Sequence, residues 1–258
     1  MRTALVQVAS PDEESMAARV ERVGTVVAAL DGPELIVLPE LWSPGYFDFD
    51  RYAELAQPMD GPFIAEMRRW ARQSGAHLQI GSFLERADGG LYNTAVLLSP
   101  DGEIAQTYRK MHVFGYQSLE SELLTPGSGI ATGPVVGLGG VGMTTCYDLR
   151  FPELYRRIVD GGAEMIIIPA AWPSARLEHW RLLTRTRALE NQLYVIACGA
   201  GGTQRGVELS GHSVIVDPWG EVVVEAGFGE EVVYAEIDLA RVGAIRAEFP
   251  ALADRVLT

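Results

Sequence analysis

Hydrophobic and polar positions along this chain switch repeatedly between a strand period and a helix period. A short β-like run at residues 4–9 is followed by helical spacing from Ser15 to Leu30, with Val20, Val23, Val27 and Leu30 on one stripe. Gly32-Pro33 ends that helix, and residues 34–39 then read as a strand, apolar at every position from Leu35 on, as in a strand buried on both faces. Residues 61–74 predict a second helix, with Pro62 near its start and Gly75 at its end. Segments 77–85, 92–99 and 103–110 predict a β-meander with hairpin turns at Asp88-Gly89-Gly90 and Pro100-Asp101-Gly102. Residues 111–134 show no period and predict a long loop of the functional kind. Beyond it come a strand into Cys146, a helix at 152–160, a strand at 165–168, a helix at 175–190, and strands at 193–198, 213–217 and 221–225. The alternation places the chain in the α/β class. Mixed sheets with helices on their outer faces fit most simply as a four-layer α/β/β/α sandwich.

Length and composition narrow the reading. A chain of 258 residues with 48% hydrophobic content can bury one large core, and no repeat, low-complexity block or linker divides it, so 1–258 is expected to be a single domain. The formal net charge of −13 repels phosphate backbones and anionic lipid, which argues against nucleic-acid and peripheral membrane binding. Two cysteines, Cys146 and Cys198, make no disulfide framework. The start of the chain does not read as a signal peptide, and no apolar run reaches the roughly 18 residues of a membrane span. A cytoplasmic, reducing setting is the expectation.

Candidate chemistry sits at strand ends. The strand through Ile36-Val37-Leu38-Pro39 delivers Glu40, the one through Gln106-Thr107-Tyr108-Arg109 delivers Lys110, and the third delivers Cys146. Ligands in α/β folds gather at such ends. Each residue alone is ordinary: a boundary glutamate, an edge lysine, a cysteine acting as a small hydrophobe. Together, an acid, a base and a thiol are the parts of a nucleophilic site. The turn after Cys146 should place the sulfur near backbone amides and a helix N-terminus, which favour a thiolate. His112 and His179 offer a rival Cys–His dyad. Four scattered histidines without HxH or HExxH spacing argue against a metal site. The segments 137–140 and 199–202 read as turns rather than phosphate loops, and Cys198 as a buried strand residue.

The segments Leu38-Pro39-Glu40, Tyr108-Arg109-Lys110-Met111-His112 and Cys146-Tyr147-Asp148-Leu149-Arg150-Phe151-Pro152-Glu153 resemble, in order, spacing and context, the Glu–Lys–Cys signatures of the nitrilase superfamily of carbon–nitrogen hydrolases. The resemblance runs on through Arg187-Ala188-Leu189-Glu190-Asn191-Gln192 and the stretch from Gly211 to Glu221. It implies the same α/β/β/α sandwich, assembly into a homodimer or higher homo-oligomer, and a fourth active-site glutamate before a Pro-Gly pair. That position matches Glu120, with Glu122 as a neighbour open to confusion with it. It further implies hydrolysis of a small amide through a cysteine thioester, with no metal or organic cofactor.

In that chemistry Glu40 serves as the base, Lys110 and the Tyr147 N–H hold the oxyanion, and Glu120 orients Lys110 or the substrate nitrogen. Tyr147 after the nucleophile is more similar to the amidase branches than to the true nitrilases. The run Ala171-Trp172-Pro173-Ser174-Ala175-Arg176-Leu177-Glu178-His179-Trp180 resembles a stretch of the ω-amidases, with Ala171 where they commonly carry Asn. Those enzymes cleave the terminal amide of α-keto dicarboxylic acid monoamides. Tyr147, Trp172 and Arg176 are the candidate substrate-binding residues, Arg176 gripping a carboxylate unless it pairs with Glu178 instead. The alternatives are an aminoacyl amide or N-carbamoyl amine substrate, or a non-catalytic oligomeric interaction protein on the same fold.

Overall fold

The computed structural model describes residues 1–257. The strands are β1 (Arg2–Gln7), β2 (Leu35–Val37), β3 (His77–Ala87), β4 (Gly90–Leu98), β5 (Ile104–Arg109), β6 (Ala131–Val135), β7 (Gly139–Met143), β8 (Met165–Ala170), β9 (Tyr194–Gly199), β10 (Thr203–Gln204), β11 (Val207–Glu208), β12 (Val214–Val216), β13 (Val222–Glu225) and β14 (Glu231–Glu236). The helices are α1 (Met16–Ala28), α2 (Tyr52–Leu55), α3 (Pro62–Ser74), α4 (Glu120–Leu123), α5 (Pro152–Asp160), α6 (Leu177–Asn191) and α7 (Ala240–Glu248). One six-stranded sheet runs β14-β1-β2-β3-β4-β5 and a second runs β13-β12-β9-β8-β7-β6. In each, three central strands are parallel and the flanking pairs antiparallel.

Side-chain alternation explains the layering. In the first sheet Leu5, Leu35, Val37, Ala95 and Leu97 point to a core shared with Met143, Ile167 and Ile196 of the second. Their neighbours Val6, Ile36, Leu38, Val96 and Leu98 point the other way, onto Val23 and Val27 of α1 and Met67 and Trp70 of α3. Both faces of each central strand are buried, so the strands read as unbroken apolar runs. Tyr155 and Ile158 of α5 and Trp180 and Ala188 of α6 cover the second sheet. The predicted α/β/β/α sandwich is therefore the observed fold. No described helix is long and apolar enough to cross a membrane.

Several elements differ from expectation. The stretch 111–134 is not all loop: α4 and the edge strand β6 lie in it. Gly133 and Pro134 hide β6 from propensity, and an edge position is where a strand tolerates a proline. The predicted turn at 137–140 closes early, and Gly139 and Gly140 already pair with β6. β14 and α7 complete the fold beyond the last predicted strand. β7 stops at Met143, so two threonines separate Cys146 from the strand end.

Candidate active site

Glu40 is delivered by β2 through a turn in which Leu41 takes φ 43°. Gly81 of β3, at φ 74°, lets that turn approach: an added Cβ there would lie 1.8 Å from the Pro39 carbonyl oxygen. Ser82 Oγ accepts the Leu41 N–H at 3.0 Å. Lys110 leaves β5 with its N–H on the Asn93 carbonyl at 2.9 Å and its carbonyl on the Gly127 N–H at 2.8 Å. The Pro-Gly pair after α4 thus seats Lys110. Glu120 opens α4 and is fully buried, whereas Glu122 faces solvent. The structure therefore separates the two candidate glutamates.

These side chains converge. Lys110 Nζ donates to Glu40 Oε1 at 2.8 Å and to Glu120 Oε1 and Oε2 at 2.8 and 2.9 Å, and all three side chains have 0% exposure. Glu40 Oε2 accepts the Ala171 N–H at 2.9 Å. Glu120 Oε2 accepts the Tyr46 hydroxyl at 2.9 Å and the Phe114 N–H at 2.8 Å. Asn93 Nδ2 reaches both carboxylates. Tyr46 and Asn93 carried no distinguishing signal in the sequence, since each sits in an ordinary apolar or polar run.

Cys146 starts a 3-10 turn (Cys146–Arg150) with φ 47°, a left-handed conformation that costs a non-glycine residue about 1–3 kcal/mol. Two anchors hold it. Before the cysteine, the buried Asp148 accepts the Thr145 N–H at 2.9 Å; after it, Arg187 donates twice to the Leu149 carbonyl at 3.1 and 2.9 Å. Asp148 also accepts the Tyr108 hydroxyl at 2.7 Å, which ties the Cys146 turn to the strand that leads into Lys110.

Electrostatics correct one expectation. Burial pushes the Cys146 thiol well up, Glu40 adds to that rise, and Lys110 and the nearby Ala171 backbone amide offset only part of it. The resting sulfur is a thiol, not the thiolate expected from a strand–helix turn. Burial also raises Glu40; Lys110 opposes that shift and Glu120 reinforces it. Burial pulls Lys110 down, but Glu120 and Glu40 together lift it well above the ordinary lysine value, so it stays a cation. A raised carboxyl beside a raised thiol is suited to passing a proton between them.

The rival dyads do not form. His112 Nδ1 lies 2.6 Å from Asp148 Oδ1, and His179 Nδ1 lies 3.2 Å from Arg150. Cys198 lies on β9 at 0% exposure, as expected of a buried strand residue.

Beside Cys146 is a pocket of about 280 Å³ lined by Tyr46, Phe114, Tyr147, Trp172, Arg150 and Arg176. Tyr147 packs edge-on against Phe114 and Phe151. The Arg176 guanidinium lies 5.5 Å over the Phe114 ring and that of Arg150 4.8 Å over the Trp172 ring. Glu178, the expected alternative partner of Arg176, pairs with Arg181 instead. Among the described residues no carboxylate lies within ion-pair distance of Arg150 or Arg176. Arg150 escaped notice in the sequence because it stands inside the nucleophile motif.

Comparison with known proteins places the chain in a family. The carbon–nitrogen hydrolase family model matches residues 2–247. The 2-oxoglutaramate amidase of Paenarthrobacter nicotinovorans is 37% identical, covering 98% of this chain and 88% of that protein. The human omega-amidase NIT2 is 34% identical, covering 86% of this chain and 83% of its own length. Among solved structures, the superfamily protein XC1258 of Xanthomonas campestris superposes with a TM-score of 0.92 at 31% identity, covering 100% of this chain and 98% of that one. Saccharomyces cerevisiae Nit3, a nitrilase-superfamily member, superposes with a TM-score of 0.89 at 32% identity, covering 100% and 97%. On a match that spans nearly its whole length, the chain belongs to the carbon–nitrogen hydrolase family.

Proposed function

We propose that this hydrolase cleaves the primary amide of a short substrate that carries a carboxylate at its other end, a reading supported by the name of one relative, a 2-oxoglutaramate amidase. The observation that carries the reading is the pair of guanidiniums, Arg150 and Arg176, lining the Cys146 pocket with no acidic partner among the described residues. In a chain of net charge −13, two such cations at one small pocket favour an anionic ligand.

Glu40 takes the Cys146 proton as Sγ attacks the amide carbon, so no free thiolate need persist. The oxyanion is held by Lys110 Nζ and by the Tyr147 N–H, whose place in the first turn of the 3-10 segment leaves it without an intrahelical acceptor. Protonated Glu40 gives its proton to the nitrogen, the C–N bond breaks, and ammonia leaves a thioester on Cys146. Glu40 then removes a proton from water as its oxygen attacks the thioester carbon. The second tetrahedral intermediate expels the sulfur, which regains the proton from Glu40, and the carboxylic acid departs. Glu120 takes no proton; bonded to Lys110 through both oxygens, it aims the ammonium at the oxyanion.

Ammonia release from short amides matched in length, with and without a terminal carboxylate, tests the assignment against a Cys146→Ala control. The carboxylate-bearing members should be turned over with a kcat/KM at least about tenfold higher, the worth of one charge-assisted hydrogen bond. Preference for the neutral amides, or for N-carbamoyl amines, would refute it.

A further inference from the structure

Asn93 stands at the centre of the cluster although nothing in the reaction above uses it. It lies on β4 at 1% exposure. Its Nδ2 donates to Glu40 Oε1 at 2.8 Å and to Glu120 Oε1 at 3.2 Å, so both amide hydrogens go to carboxylates. Its Oδ1 is buried with no hydrogen-bond partner among the described residues. Turning the amide over would set Oδ1 against both carboxylates, so this orientation is forced. Buried acceptors without partners are rare because they are costly, and one in an active site calls for a functional reason.

The reason lies in the lone pairs of Glu40. A carboxylate offers about four acceptor positions, two on each oxygen. On Glu40, Oε1 is filled by Lys110 and Asn93, and Oε2 accepts the Ala171 N–H. One position on Oε2 remains. We propose that Asn93 is a positioning residue that blocks the second face of Oε1, so that the proton from Cys146 is carried on Oε2 in every transfer. The proposal rests on Glu40 being the base of the reaction described above.

Without Asn93 the proton can settle on either oxygen, and the charged form of Glu40 loses a donor. Glu40 would then hold its proton to higher pH. The other groups around it are Lys110 at the end of β5, Glu120 on α4, Cys146 in the nucleophile turn, and Tyr46 and Tyr52, and all remain in an Asn93 variant. Glu120 loses the same donor but keeps Lys110, Tyr46 and the Phe114 N–H.

The test measures, against pH, both kcat/KM for an amide and the rate of Cys146 alkylation by iodoacetamide, in the wild type, Asn93→Ala and Asn93→Asp. For Asn93→Ala we expect kcat to fall about 10- to 100-fold with KM nearly unchanged, and the acid limb of both profiles to move up by about one pH unit. Asn93→Asp, equal in size but acceptor-only and charged, should be slower than Asn93→Ala by roughly tenfold more, since three carboxylates then share one cation. A residue that merely fills space would give the reverse order, with the isosteric variant the milder, and would leave the acid limb in place; that result overturns the proposal. If Asn93→Ala does not fold, Asn93→Ser, which removes the bridge between the two carboxylates, takes its place with the same criteria. Alkylation needs no amide to be hydrolysed, so a wrong substrate class leaves that profile readable. An acid limb that persists in Glu40→Gln would instead reject Glu40 as the base.

Discussion

Replacing Lys110 by methionine should cost both stability and rate, and the stability cost should grow with pH. Methionine matches the lysine stem in length but removes the one ammonium between Glu40 and Glu120. Three bonds of 2.8 to 2.9 Å disappear at side chains with no exposure. Removing one partner of a buried ion pair costs about 3–5 kcal/mol, because the charge left behind has no compensation. For a chain of this size that is about 6–20 °C in Tm near neutral pH. Protonation relieves the penalty. Glu40 is already raised by burial, and Lys110 is the influence that opposes the rise, so its loss moves the folded-state pKa further above the unfolded value. A raised folded pKa contributes stability that is full below the unfolded pKa, about 4.3, and is lost as pH rises through the folded pKa. Urea denaturation of Lys110→Met and wild type at about pH 5 and pH 8 should therefore show a small difference at the lower pH and a large one at the higher. Turnover at both values should drop by at least about 10²-fold, the effect of losing one oxyanion donor. A stability difference that does not change between the two pH values would show that the carboxylates do not carry the charge assigned to them, and the electrostatic account of the site would fail.

Three further outcomes follow from the same geometry. Iodoacetamide should inactivate by modifying Cys146 and spare Cys198, whose thiol burial pushes up to about 12 at 0% exposure; peptide mapping that found the label on Cys198 would reverse the assignment. Glu40→Gln should slow acylation and deacylation alike, since the proposed cycle gives one carboxyl both proton transfers, and rapid-quench kinetics that showed loss in a single step would require a second base. Arg176→Ala and Arg150→Ala should each raise KM for carboxylate-bearing amides by roughly 10- to 100-fold and leave neutral amides almost unchanged. Equal losses on both classes would remove the two arginines from substrate recognition.

The layers of the sandwich were legible along the chain because they depend on local periodicity. The run from Leu35 to Leu38 is apolar at every position since alternate side chains enter different cores, Leu35 and Val37 toward the second sheet and Ile36 and Leu38 toward α1 and α3. Glu40, Lys110 and Cys146 were legible too, as chemistry-bearing residues close behind three strands, and a carboxyl edge is where such residues meet. β6 was not, because Gly133 and Pro134 are weak strand formers and their pairing is dictated by β7 alongside.

How those residues feel one another was settled by folding alone. Spacing along the chain says nothing about the 2.8 Å that brings Lys110 to Glu40 across 70 positions, or about Asn93 lying between two carboxylates. It also pointed the wrong way on the thiol. A strand–turn–helix context favours a thiolate, yet burial beside Glu40 outweighs Lys110 and keeps the proton on the sulfur. Periodicity is a property of neighbours in sequence and survives in one dimension. Desolvation and Coulomb interaction depend on which distant segments exclude water together, and for this chain they were decided only when the two sheets closed over the site.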